Sequence, residues 1–497
     1  MYFVGVDLGT SGCKVILIDE TGNIVGKSTQ EYTLYTPNPN WSEQNPDEWY
    51  KGVCDGIKCV ISQNCVKSED IVAISISGQM VGLVTLDKDL KPIRPCILWN
   101  DQRSVAQADK VTSMLGLETV INETGNAIYP SFFAPKVLWL KENEPDNYKR
   151  IRHIMFPKDY IVFRLTSKLT CEVSDMSGSC LFNVETRQYS PLMLKSFGVK
   201  REFLPEDIQE SEDIAGKVTD KAAAQTGLSK GTIVGAGGGD QSCQAIGSGI
   251  VKPNMCLVTI GTSGVVFLQS GKFKKHPQGL VHSFRHSIKN NFYMMGVMLS
   301  AGASYQWLRN MFKSVNEDFD YKTMNSLCEQ VPAGSNGLMF LPYLTGERCP
   351  HNDPYAKGCW IGLTLKHRIA EMTRSVMEGI TFGLYDLLNM ICDLGNRVDV
   401  VYASGGATNS TLWLQMIADI FGIQVMTTNA VEGGALGAAI LAGVSASGFS
   451  SVQQATETII KPLNCYSPKA LRHKFYADRY LLYRELYCDL QFSFPNL

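Results

Sequence analysis

The chain has 497 residues, with 46 Lys plus Arg against 48 Asp plus Glu and a net charge of -2. That length exceeds one ordinary core and suits two domains of about 200–250 residues, while the near-neutral charge gives no bulk electrostatic reason to bind nucleic acid or an anionic membrane. Hydrophobic residues make up 44%, and there is neither a basic segment leading into an apolar run at the N-terminus nor an apolar stretch of membrane length, so a cytoplasmic globular protein is expected.

In chain order, an expected strand from Tyr2 to Asp7 ends in Gly9-Thr10-Ser11-Gly12, and a second runs from Lys14 to Ile18. Turn chemistry at Asp19 to Asn23 leads to a third strand at Ile24. Further strands are expected from Ile71 to Ser77 and from Leu83 to Leu86, and a polar helix from Val105 to Leu115. Leu257 to Val266 repeats the opening pattern, with Gly261-Thr262-Ser263-Gly264 between two β-runs; Thr262 lies 252 residues after Thr10. Two such hairpins predict two domains of related topology. Turn-rich sequence at Gly247 to Asn254 places the boundary there, giving residues 1–248 and 249–497. Apolar steps of three and four from Arg368 to Leu394 mark a long amphipathic helix. A strand at Val400 to Ala403, a break at Ser404 to Thr408 and a capped helix from Thr411 to Phe421 follow, and Gly433 to Ala439 opens a helix of small residues. Strands alternating with helices make this an α/β protein.

The 15 cysteines include no C-x-x-C pair and read as reduced thiols, and the seven histidines form no metal-ligand pair. In the first hairpin, glycines allow successive N–H groups to point one way and cradle phosphate oxygens. Thr10 and Ser11 add hydroxyl donors, Asp7 can hold Mg²⁺ through water, and Lys14 is either near phosphate or solvated. An ordinary hairpin explains this segment equally well until the second one, at Thr262 and Ser263, is considered beside it. The uncharged cluster Gly405-Gly406 suits the flat face of a purine or a plain βα turn. Gly235 to Gly239 presents Asp240 and Gln241 at a helix mouth, where a carboxylate can take a proton from an attacking hydroxyl; an Asp N-cap is the plain alternative. Gly22 to Ser28 only approximates a phosphate-binding Walker loop and sits between strands.

Taken in order along essentially the whole chain, these segments resemble the FGGY carbohydrate kinases. The likeness includes Asn40-Trp41-Ser42-Glu43-Gln44, Ser77-Gly78-Gln79-Met80, Leu98 to Arg103, Pro135 to Leu140, Gly239-Asp240, Leu341 to Arg348 and Ser404-Gly405-Gly406. Within that family it is most similar to the xylulokinases. The resemblance implies two RNase H-like domains of the actin, Hsp70 and hexokinase ATPase fold around a central cleft. It implies ATP as phosphate donor, Asp240 as catalytic base, and Asp7 in the Mg-ATP site. It places Gly9, Thr10, Ser11, Lys14, Gly261, Thr262, Ser263 and Gly302 toward the phosphates, and Gly405, Gly406 and Asn409 toward the adenosine. It places Gln79, Met80, Val81, Trp99, Asn100, Asp101 and Gln241 around a small sugar or polyol, D-xylulose being the expected acceptor. Xylulokinases usually carry His where this chain has Val81, which leaves ribulose, a pentitol or another polyol open. Domain closure is expected to exclude water. A non-metabolic ATPase of the same fold is the rival class, and a homodimer is compatible with the reading.

Overall fold

The computed structural model describes residues 1–497. Two mixed seven-stranded sheets organise it. In the first, strands lie in the spatial order Ile214–Lys217, Ile233–Gly235, Ile71–Gly78, Tyr2–Leu8, Gly12–Asp19 and Ile24–Glu31, with Gly238–Gly239 beside Ile71–Gly78. In the second the order is His282–Arg285, Phe292–Met298, Gly264–Ser270, Met255–Ile260, Val400–Gly405, Val425–Thr428 and Pro462–Tyr466. Each contains three mutually antiparallel strands of which the first pairs in parallel with a later one. The expected internal echo is therefore a repeat of topology: both Gly-Thr-Ser-Gly segments are hairpin tips at the same place in their sheets.

Alternation along the strands explains the layers. In Tyr2–Leu8, Val4, Val6 and Leu8 face a core that includes Trp49, Val53 and Ile57 of the helix Pro46–Gln63. Phe3 faces the opposite side, where it meets Ala439, Ile440 and Phe449. A Cβ on Gly5 would stand 2.0 Å from the Ala435 carbonyl oxygen, so glycine is what lets the helix Gly433–Ser445 lie on this sheet. That helix belongs to the second half of the chain, and a cut at residue 248 separates the two sheets but not this layer.

The second sheet shows the reverse exchange. Val258, Val266 and Met294 point toward the helices Ile369–Asp393, Thr411–Phe421 and Ala470–Leu490. Leu257, Phe267 and Tyr293 point the other way, into a cluster with Met80, Phe132, Phe156 and Met176 from the first half. The edge strand His282–Arg285 is also tied to that half. Ser283 N donates to Asn126 Oδ1 at 2.8 Å, Asn126 Nδ2 donates to the Ser283 carbonyl at 2.9 Å, and Arg285 Nε donates to the Val184 carbonyl at 2.7 Å. No helix is long and apolar enough to cross a membrane.

Candidate active site

Asp240 opens the helix Asp240–Gly247, with Gly239 in the capping position and the Asp240 carboxylate accepting from Gln241 N at 2.7 Å. It is thus the first helical residue and not the cap. A Cβ on Gly239 would stand 2.8 Å from Met80 Cγ, so Met80 lies directly on the backbone beside Asp240. Asp240 keeps some exposure, yet burial, and next the negative charge of Asp7, push its carboxyl up to about 7. A carboxylate poised near neutrality is suited to accept a proton in a transition state.

Asp7 sits across the sheet register from Lys14, near the end of the strand Tyr2–Leu8. Its Oδ1 accepts from Ser77 Oγ at 2.8 Å. Burial raises its carboxyl, against the pull of the Ser77 hydrogen bond and the Lys14 charge. A Cβ on Gly434 would meet the Asp7 carboxyl carbon at 2.7 Å, so the start of the helix Gly433–Ser445 closes over this carboxylate. Lys14 Nζ lies 2.6 Å from Glu432 Oε2, which fixes the lysine at the margin of the hairpin.

The first hairpin tip and the expected acceptor residues form one network. Trp99 Nε1 donates to Thr10 Oγ1 at 2.9 Å, and Thr10 Oγ1 donates to Gln79 Oε1 at 3.3 Å. Gln79 Nε2 donates to Gln44 Oε1 at 3.0 Å, while Gln44 Nε2 returns to the Thr10 carbonyl at 2.6 Å. Gly9 N closes the turn on the Gly12 carbonyl at 3.1 Å, and Ser11 is exposed beside it. Trp99 remains 44% exposed, so its ring face is open to a ligand while its N–H is occupied.

The loop after Trp99 divides in its roles. Asn100 Oδ1 is buried without a protein partner. Asp101 is fully buried, with Oδ2 accepting from Ser42 N at 2.6 Å and Arg103 Nη2 at 2.7 Å, and Oδ1 accepting from Arg103 N and Nε at 2.9 Å. The Arg103 guanidinium in turn lies 3.7 Å from the Trp41 ring centroid. Asp101 therefore shapes this loop through Arg103 and Ser42. Val81 adopts φ 58°, the left-handed region that a β-branched side chain avoids, at a cost of about 1–3 kcal/mol.

A cavity of about 310 Å³ is lined by Gly261, Thr262, Gly302, Gly406 and Asn409 together with Tyr305 and Tyr321. Five of the expected nucleotide residues thus meet in one space. Gly405 has φ 83°, and a Cβ there would stand 2.4 Å from the Ile260 carbonyl oxygen. Gly302 N donates to the Gly261 carbonyl at 2.9 Å and Ala301 N to the Thr262 carbonyl at 3.1 Å, strapping the hairpin. Glu347 holds that strap from behind by accepting from Leu299 N at 2.9 Å. Ser263 lies at the hairpin itself, its carbonyl accepting from Gly261 N at 3.0 Å. Aromatic walls and an exposed hairpin tip fit a purine and its phosphates. Tyr305, Gln306, Tyr321 and Asn325 line this cavity without any signal in the sequence, since helix residues at ordinary spacing carry no binding signature.

Residues 2–247 match the N-terminal domain model of the FGGY family of carbohydrate kinases, and residues 256–446 match its C-terminal domain model. The chain belongs to the FGGY family. Among FGGY relatives, the xylulose kinase of Bacillus subtilis (strain 168) is 37% identical over 486 residues, 98% of this chain and 96% of that protein. The crystal structure of a xyloylose kinase from Brucella ovis is similar at 32% identity and a TM-score of 0.92, covering 99% of both chains. The gluconokinase of Bacillus licheniformis is 28% identical over 504 residues, 100% of this chain and 97% of that protein. This FGGY chain is an ATP-dependent sugar phosphotransferase with the two-domain architecture of the actin, Hsp70 and hexokinase-like ATPases.

Proposed function

We propose that the chain phosphorylates a ketopentose such as D-xylulose, with Asp240 as the catalytic base. The observation that carries this reading is the Asp240 carboxyl itself. It lies at a helix mouth against Met80, and burial with the Asp7 charge pushes it up to about 7. The acceptor would rest between the open face of Trp99, the free Asn100 Oδ1 and Met80, with Gln79 and Gln241 at its margins. Asp240 would take the hydroxyl proton as the oxygen attacks the γ-phosphorus. Thr10 and Thr262 would meet the phosphates, and the cavity beside Gly406 and Asn409 would hold the adenosine.

Mg²⁺ would neutralise charge on the phosphates. Asp7, held by Ser77 and close enough to raise Asp240, is the carboxylate suited to an ion that keeps most of its waters. The similarity to xylulose kinases supports a ketopentose, and the similarity to a gluconokinase keeps other acceptors in view. Val81 favours that second reading, because it presents no hydrogen-bonding side chain where xylulokinases usually place His. One panel separates them: ADP release with D-xylulose, D-ribulose, xylitol, gluconate and glycerol, on the parent and on Asp240→Asn. D-xylulose should be turned over fastest, and Asp240→Asn should lose about 10²–10⁴-fold in kcat. A folded Asp240→Asn at near the parent rate would sink the base assignment. A better acceptor than D-xylulose would sink the pentulose.

A further inference from the structure

Lys136 lies on the helix Phe133–Asn143, in a stretch that the proposed reaction does not use. Its side chain is fully buried, near Cys96, Cys180 and the Asp101–Arg103 ion pair. Nζ donates to the Val81 carbonyl oxygen at 2.9 Å and to the Ser131 carbonyl oxygen at 2.7 Å. Burial pushes the ammonium down to about 7, and a neutral amine still carries two N–H groups, one for each carbonyl. A lysine placed in an apolar core for packing alone would be poorer than Met or Leu, since taking its charge from water is costly.

The segment it holds reaches both the first hairpin and the backbone beside Asp240. Gln79 N donates to the Leu8 carbonyl at 2.9 Å, and its side chain meets Thr10. Met80 covers Gly239, the residue before Asp240, and its sulfur accepts from Tyr293 Oη at 3.8 Å. Val81, at φ 58°, presses toward Gly178, where an added Cβ would stand 2.4 Å from Val81 Cγ1. A β-branched residue keeps a left-handed backbone only where its surroundings over-determine it. Here the main-chain tie of Val81 comes from Lys136.

We propose that Lys136 is a positioning residue for acceptor recognition: by holding the Val81 carbonyl it fixes the strained turn Gln79–Val81 and thereby keeps Met80 against Gly239 beside Asp240. It touches neither acceptor nor nucleotide. The inference rests on the acceptor site proposed around Asp240.

The test is Lys136→Met, which keeps the length and removes both donors, alone and combined with Val81→Gly, since glycine adopts a left-handed backbone without strain. The acceptor is whichever of D-xylulose, D-ribulose, xylitol, gluconate and glycerol the parent turns over fastest. Lys136→Met should raise the acceptor KM about tenfold or more, because a buried carbonyl loses its donor. The KM for ATP, and any acceptor-independent ATP hydrolysis, should stay within about twofold of the parent. In the Val81→Gly background the same change should cost much less. Equal rises in both KM values, or full additivity of the two substitutions, would overturn the proposal. If Lys136→Met alone does not fold, a folded double variant supports the coupling, and an unfolded one shows that Lys136 serves stability only. Failure of the Asp240 assignment is separately visible, because it shows as an unchanged kcat in Asp240→Asn, a readout independent of the acceptor KM of Lys136→Met.

Discussion

The Trp99 indole donates to the Thr10 hydroxyl at 2.9 Å, joining a residue proposed at the acceptor to one proposed at the phosphates. Thr10 passes the chain on to Gln79 at 3.3 Å. Trp99→Phe keeps a ring for the acceptor and frees the Thr10 hydroxyl. It should lower kcat/KM several-fold while changing stability by less than about 1 kcal/mol, because the indole is exposed. A double-mutant cycle with Thr10→Val should show coupling of about 0.5–3 kcal/mol in kcat/KM, and additivity would show that the bond is idle in turnover.

The raised Asp240 carboxyl fixes the direction of two pH effects. The rate should fall as pH drops through about 7, since the proposed base must be ionised. Stability runs the other way: a carboxyl with a raised folded-state pKa binds its proton more tightly when folded, so parent stability rises as pH falls from about 7 toward the ordinary carboxylate range. Asp240→Asn should therefore be more stable than the parent above pH 7, by about 1–3 kcal/mol, and lose that advantage toward low pH. Thermal melts of both proteins across pH read this directly, and parallel curves would contradict it.

Gly302→Ala addresses the nucleotide side. A Cβ at 302 would stand 2.3 Å from the Gly261 carbonyl oxygen, so the strap on the second hairpin must shift. The KM for ATP should rise about tenfold or more while the acceptor KM holds. An unchanged ATP KM would remove Gly302 from the site.

Gly437→Ala tests the layer beneath the first sheet. Its Cβ would stand 2.0 Å from the Cys243 carbonyl oxygen, backbone against backbone, where no side chain can yield. A loss of about 3 kcal/mol or more is expected, seen as a fall in melting temperature.

Local chemistry made much of this legible. The helix at Thr411–Phe421 lies where its Ser410 cap and apolar pattern put it, with Ser410 Oγ accepting from Trp413 N at 3.3 Å. The long helix Ile369–Asp393 follows its apolar stripe. The paired hairpins were visible because Gly-Thr-Ser-Gly between β-runs is a local signal. What was not legible depends on partners far along the chain. Lys14 gives no hint of Glu432, nor Val81 of Lys136, and Gly433 to Ser445 is so nearly apolar throughout that nothing in it names the sheet it covers. The Asp101 carboxylate reads as a free ligand group until Arg103, two residues on, is seen to occupy both its oxygens.

The helix Gly433–Ser445 also sets the order in which this chain can become itself. A ribosome that has released residues 1–247 has delivered the strands of the first sheet and the helix Pro46–Gln63 on one of its faces, but the opposite face, with Phe3, Ile16, Ile18 and Ala73, waits for residues not yet synthesised. The nascent first half must keep that greasy surface from its neighbours until almost the whole second half has emerged. Maturation is then a late, chain-spanning event, and truncations ending before Gly433 should leave the ribosome needing a chaperone.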